Sequence, residues 1–163
     1  MSIYDYLVDY TKEATSPVAL DGFEKKIVII VNVASQWLLA KENYINLKKI
    51  TETYENATVW AFPCNQFGGQ EPKTSDEVRK YVEEEFEVNF PIFDKILVNG
   101  PNAHPLYKFL KSRVRHQSFW ANFFSDSIKW NFTKFVCVNG VPLKRFEPLE
   151  SFRSINELIE KYN

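Results

Sequence analysis

The sequence predicts an α/β fold in which a central mixed β-sheet is flanked by helices, and three observations carry that prediction. Short β-branched runs alternate with amphipathic stretches through the first half of the chain. An Asn-Gly pair then separates two further apolar runs, and a last stretch of helical periodicity closes the sequence. A strand–helix–strand unit implies parallel strands joined by a right-handed crossover, and a hairpin adds an antiparallel pair to the same sheet.

The elements follow in order. IVIIVNV (27–33) comes after the charged turn Glu24-Lys25-Lys26 and reads as a central strand buried on both faces. From about Leu39 to Tyr54, Tyr44, Leu47, Ile50 and Tyr54 recur at helical spacing among lysines and glutamates, which makes an amphipathic helix. TVWAF (58–62) is a second strand. It runs into PCNQFGGQEP (63–72), whose glycines and prolines permit neither regular structure, so this polar loop is a candidate functional edge.

Thr74 and Glu77 form a capping box ahead of Val78, Tyr81, Val82 and Phe86, which start a second helix. The acidic run Glu83, Glu84, Glu85 and Glu87 reads as a solvated helix face rather than a dock for a basic partner. Runs at Phe132 to Val138 and Val141 to Phe146 flank Asn139-Gly140, the pair that a type I′ turn favours because both central residues need positive φ. Pro142 lacks a donor and places the second of these strands at a sheet edge. Ser154 with Glu157 predicts a capping box for a terminal helix bearing Ile155, Leu158, Ile159 and Tyr162 on one face. The order is a thioredoxin-like arrangement. With no repeat, low-complexity tract or linker, residues 1–163 are expected to form one domain.

Composition narrows the function classes. Lys plus Arg number 20 and Asp plus Glu 21, a net charge of −1 that excludes the electrostatic footprint of a nucleic-acid binder. An apolar fraction of 45% excludes intrinsic disorder, and 14 Phe, 8 Tyr and 4 Trp predict a core rich in rings. Cys64 and Cys137 are too few for a disulfide scaffold, which points to a reducing compartment. Asp5, Asp9, Lys12 and Glu13 interrupt any apolar leader at the start, and the longest aliphatic run, residues 27–31, falls far short of the ~20 needed to span a bilayer. The expectation is a soluble cytoplasmic protein.

His104 and His116 lack metal-ligand spacing, the cysteines form no CxxC, and no glycine-rich phosphate loop occurs, so neither metal nor cofactor is expected. His104 reads as a loop or helix-start residue. Asn65 and Gln66 read as polar loop residues that satisfy backbone groups, and Cys137 as core.

Four segments carry a resemblance. VNVASQ (31–36), AFPCNQFGGQEP (61–72), FPIFDKILVNGPNAHPLYKFLK (90–111) and IKWNFTKF (128–135) resemble, in order, the signature segments of the glutathione peroxidase family. The likeness runs from Ile3-Tyr4-Asp5 to the last helix. The moderate connection between the third and fourth segments resembles the small, monomeric members. The resemblance implies a peroxidase in which a selenocysteine or cysteine attacks the O–O bond of a hydroperoxide and is restored by a thiol, glutathione or thioredoxin. It further implies that Gln70, Trp130 and Asn131 are neutral hydrogen-bond donors around the nucleophile.

At the nucleophile's own position the sequence has Trp37, followed by Leu38 where the family has glycine. Glu83 stands near the position of the usual resolving cysteine. An indole has a donor N–H but no thiolate, so it cannot enter the sulfenic-acid cycle. Three readings follow: a selenocysteine codon rendered as Trp, a non-catalytic binding or regulatory member, or a weak peroxidase using Cys64, which competes with Cys64 as an inert buried thiol. A last expectation concerns Phe119, Trp120, Phe123 and Phe124, which follow Lys111, Arg113, Arg115 and His116; rings beside cations suit contact with anionic lipid, against the alternative that they pack on the sheet.

Overall fold

The computed structural model describes residues 1–6, 25–115 and 126–163. After a short 3-10 turn at Ile3–Tyr6 come β1 (Ile27–Val33), α1 (Ala40–Thr53), β2 (Ala57–Pro63), α2 (Ser75–Phe86), α3 (Pro105–Arg113), β3 (Lys134–Val138), β4 (Val141–Phe146) and α4 (Phe152–Glu160). The sheet order is β2-β1-β3-β4, with β1 parallel to β2 and antiparallel to β3, and β3 antiparallel to β4. This is the mixed, thioredoxin-like sheet that the alternation and the Asn-Gly hairpin predict.

Every residue of β1 and β2 is buried, as expected of parallel strands covered on both faces. Alternate β1 residues divide between two apolar layers. Ile27, Ile29 and Val31 pack with Tyr44, Leu47 and Ile50 of α1, Val82 and Phe86 of α2, and Ile155 and Ile159 of α4. Val28 and Ile30 face the opposite way, with Trp60, Phe62, Cys64 and Cys137, against Leu106, Tyr107 and Leu110 of α3.

The hairpin turns through Asn139 at φ 49° and Gly140 at φ 77°. A Cβ on Gly140 would also lie 2.9 Å from the Ser2 side chain, so both conformation and space require glycine there. β4 is an edge strand, which accommodates Pro142.

The Thr74–Glu77 capping box forms in both directions. Three local expectations are corrected and one element is added. Tyr81 lies 38% exposed rather than on the buried stripe of α2. Phe132 lies outside β3, because its φ of 60° breaks the extended backbone two residues before the strand begins. The cap of α4 is Ser151, whose hydroxyl accepts from the Arg153 amide; Ser154 sits within the helix, and Glu157 pairs instead with Arg153 at 2.9 Å. The added element is α3, which packs Leu106, Tyr107, Phe109 and Leu110 into the second apolar layer. His104 caps it as a helix-start residue, its Nδ1 accepting from the Leu106 amide with Pro105 at the first helical position.

Candidate functional site

Because β1 and β2 are parallel, the loops that follow them emerge at the same sheet edge, and antiparallel β3 begins there too. Main-chain bonds tie the three approaches together. The Cys64 amide donates to the Val33 carbonyl at 3.0 Å, the Gln36 amide to the Gln70 carbonyl at 3.1 Å, and the Phe132 amide to the Asn32 carbonyl at 2.7 Å. Buried Asn32 adds a side-chain bond, its Nδ2 donating to the Trp130 carbonyl at 3.1 Å.

Two of the expected site residues meet directly. Asn131, fully buried, donates from Nδ2 to Gln70 Oε1 at 2.8 Å. Trp130 is 39% exposed, faces the Phe67 ring at a centroid distance of 5.9 Å, and leans over Gly68. Gly68 and Gly69 take positive φ of 67° and 60°, which turns the loop back so that Gln70 reaches Asn131.

Trp37 is half-buried and stacks on Phe132 at 5.5 Å with an interplanar angle of 24°. Phe132 meets Tyr44 edge-on at 5.3 Å, and Tyr44 stacks on Phe86 at 4.8 Å. Position 37 is thus the outer end of a ladder of rings leading into the core, and the left-handed turn at Phe132 aims the second rung. Leu38 beside it is 91% exposed. The loop enters α1 with Leu39 at the cap and no side-chain bond to the first-turn amides.

Cys64 is not drawn into this group. It is fully buried in the opposite layer, burial pushes its thiol up, and its Sγ lies 3.5 Å from Gln66 Oε1. Cys137 is fully buried in β3, as read from its alternation, and is shifted up much further by burial alone. Glu83 is exposed on α2. Asn65 and Gln66 satisfy backbone groups as expected: Asn65 Oδ1 accepts from Glu71 N at 2.9 Å, and Gln66 Oε1 from the amides of Val98 at 2.7 Å and Asn99 at 3.1 Å. His116, Phe119, Trp120, Phe123 and Phe124 lie outside the described residues. Among the described residues no group of three or more His, Cys, Asp or Glu could hold a metal ion.

Sequence reading missed two buried charged groups. Glu71 is 1% exposed, and burial raises its carboxyl to about 7. Lys134 is fully buried, donates from Nζ to the Phe132 carbonyl at 2.8 Å, and is lowered by burial to about 7. Each bonds a loop of the site. Nothing in the local sequence marks either, since Glu before Pro in a loop and Lys opening a strand are normally solvated.

The architecture and this edge define a protein of thioredoxin-like fold whose loops gather neutral amide and indole groups at the end of its parallel strands. A thioredoxin-family thiol:disulfide interchange protein from Chlorobium tepidum TLS shares the fold, with a TM-score of 0.56 at 12% identity, over 84% of this chain and 79% of its own. The glutathione peroxidase family model matches residues 3–111. A protein of Nicotiana sylvestris described as "Probable phospholipid hydroperoxide glutathione peroxidase" is 45% identical over 98% of this chain and 92% of its own length. The crystal structure of T. cruzi GPX1 superposes with a TM-score of 0.73 at 33% identity, covering 99% of this chain and 96% of that one. The chain belongs to the glutathione peroxidase family, whose activity is peroxide reduction. Its relatives include chloroplastic and mitochondrial forms.

Proposed function

We propose that this chain is a non-catalytic member of its family, a binding or regulatory protein that keeps the donor set Gln70, Trp130 and Asn131 but has no peroxidatic thiol. One observation carries the reading: the position expected to hold the nucleophile presents an indole stacked on Phe132, while both cysteines are fully buried. The donors persist because their bonds are made with one another and with the backbone, as between Asn131 and Gln70, and so survive loss of the thiol. Hydroperoxide and thiol reductant, the ligands of the family chemistry, are then bound without turnover or not bound at all. Glutathione or thioredoxin would enter only as a reducing co-substrate, and no metal or bound cofactor is part of the proposal.

The reading includes one domain, a monomer, and a reducing compartment, with the cytoplasm favoured by two free thiols. Among the described residues no helix is long and apolar enough to cross a membrane. Lipid contact at Phe119, Trp120, Phe123 and Phe124 is a separate proposal, tested by sedimentation with liposomes containing or lacking anionic phospholipid.

Assays with hydrogen peroxide and with a lipid hydroperoxide, using glutathione and thioredoxin in turn, are expected to give no turnover above the buffer blank. Turnover that disappears in a Cys64→Ser variant would replace this reading with the one in which Cys64 is the nucleophile. Mass spectrometry of the natively expressed protein is expected to find Trp in the peptide spanning position 37; selenocysteine there would make the chain an ordinary peroxidase.

A further inference from the structure

Trp37 is the first ring of a series that runs from the site through one apolar layer to the outer face of α2. It stacks on Phe132 at 5.5 Å, Phe132 meets Tyr44 at 5.3 Å, Tyr44 stacks on Phe86 at 4.8 Å, and Phe86 meets Tyr81 edge-on at 5.9 Å. Each step is a ring contact. The ends of the series differ from its middle in exposure. Trp37 is half-buried and Tyr81 is 38% exposed, whereas Phe132 and Tyr44 are fully buried and Phe86 is buried. The ends are also the readily oxidised kinds of ring, an indole and a phenol, while the phenylalanines between them resist oxidation. Two main-chain bonds fasten the loop that holds Trp37 at its place: the Ser35 amide donates to Glu71 Oε2 at 2.8 Å, and the Gln36 amide donates to the Gln70 carbonyl at 3.1 Å.

We propose that this series is a one-electron relay, in which an oxidising radical takes an electron from Trp37 and the vacancy is filled from Tyr81 by transfer through the rings of Phe132, Tyr44 and Phe86. The radical is reduced to its anion. Trp37 loses one electron and recovers one, with any proton that the oxidised indole releases returning alongside it. Tyr81 gives up that electron and passes its phenolic proton to water, which leaves a phenoxyl radical on α2. The net change is one radical reduced to its anion, one phenoxyl formed and one proton released. At neutral pH an indolyl radical is a stronger oxidant than a phenoxyl, so the electron moves from Tyr81 toward Trp37.

Tyr44 is a phenol as well, but burial pushes its hydroxyl well above the ordinary range and leaves no water to take its proton. The radical therefore comes to rest at Tyr81. The other described tryptophans are placed differently: Trp60 meets Tyr4 at 5.9 Å but is fully buried, and Trp130 is exposed but faces Phe67. The relay needs Trp at position 37 and holds whether or not the chain turns over peroxide.

Pulse radiolysis of the full chain in azide solution tests the relay, because azidyl radicals oxidise indoles faster than phenols. Absorbance is expected to show indolyl radical converting to phenoxyl in a first-order phase whose rate does not depend on protein concentration. A nitroso spin trap in the same solution is expected to label Tyr81, as located by peptide mass spectrometry. Trp37→Phe, which keeps a ring against Phe132, is expected to lose that phase and most of the Tyr81 label. Tyr81→Phe is expected to lose the phase and prolong the indolyl radical, and Phe86→Leu, which removes the ring between Tyr44 and Tyr81, is expected to slow it. Equal labelling of Tyr81 in Trp37→Phe, a phase unchanged in Tyr81→Phe, or an unchanged rate in folded Phe86→Leu would overturn the proposal. Should Phe86→Leu fail to fold, the variants at half-buried Trp37 and exposed Tyr81 decide it.

Discussion

The two loops at the open end of the parallel strands have kept different things. The loop after β2 is bonded throughout by its own side chains: Asn65 to Glu71, Gln66 to Val98 and Asn99, Gln70 to Asn131. The loop after β1 is held by Ser35, by the Gln36 amide and by the stacking of Trp37 on Phe132, and then exposes Leu38 almost completely. In one loop, polar side chains hold a donor geometry that depends on no nucleophile. In the other, an aromatic contact fixes position 37, where the family resemblance leads one to expect a nucleophile. The contrast teaches that the geometry around Gln70, Trp130 and Asn131 does not depend on the residue at position 37, because the bonds placing them run among other neighbours.

The strongest way to sharpen that contrast is to return the thiol. The double change Trp37→Cys with Leu38→Gly is expected to raise hydroperoxide reduction from the blank to a readily measured, thiol-dependent rate, because the donors are already in place. Adding Gln70→Ala to it should remove most of the gain. A thiol-restored chain with no activity would show that the loop after β2 has also lost its function.

Next in size is the stacking partner. Phe132→Ala is expected to cost about 3–5 kcal/mol in urea unfolding, since it removes a fully buried ring that both Trp37 and Tyr44 contact. Gln70→Ala in the natural chain leaves Asn131 Nδ2 buried without its partner and should cost about 1–3 kcal/mol. Little change would mean that the bond between them does not hold the loop.

A further effect, read against pH, concerns Lys134, the first residue of β3. Lys134 titrates at about 7 in the folded chain against 10.5 when solvated, so above about 7 the unfolded chain holds more protons and stability rises with pH up to about 10.5. Urea midpoints for the natural chain relative to Lys134→Met are therefore expected to improve between pH 7 and 9.5. A difference that stays constant would show that the ammonium is not desolvated.

The legible parts of the molecule were those with a local signature. A β-branched run, a Thr-x-x-Glu capping box, Asn-Gly, and Pro142 at an edge each state a backbone requirement within a few residues, and β1, α2, the hairpin and the edge strand follow them. Helix α3 was missed as an element because its start is written in His104 and Pro105, a cap made by a ring nitrogen rather than a hydroxyl or carboxylate. At α4 the same kind of signal misled, since Ser151 and Ser154 both precede apolar spacing and only the chain's path chooses between them. In the site, Gln70, Trp130 and Asn131 stood out through their motifs. Glu71, Ser35, Phe132 and Lys134 did not, because their roles come from contacts between residues 36 positions apart, from a left-handed backbone and from burial, none of which a short window of sequence contains.

The proposed loss of catalysis is tested most directly by peroxidase turnover of the natural chain and of Cys64→Ser, measured with lipid hydroperoxide and either glutathione or thioredoxin. Both proteins are expected to match the buffer blank. Turnover by the natural chain, lost on Cys64→Ser, would contradict it.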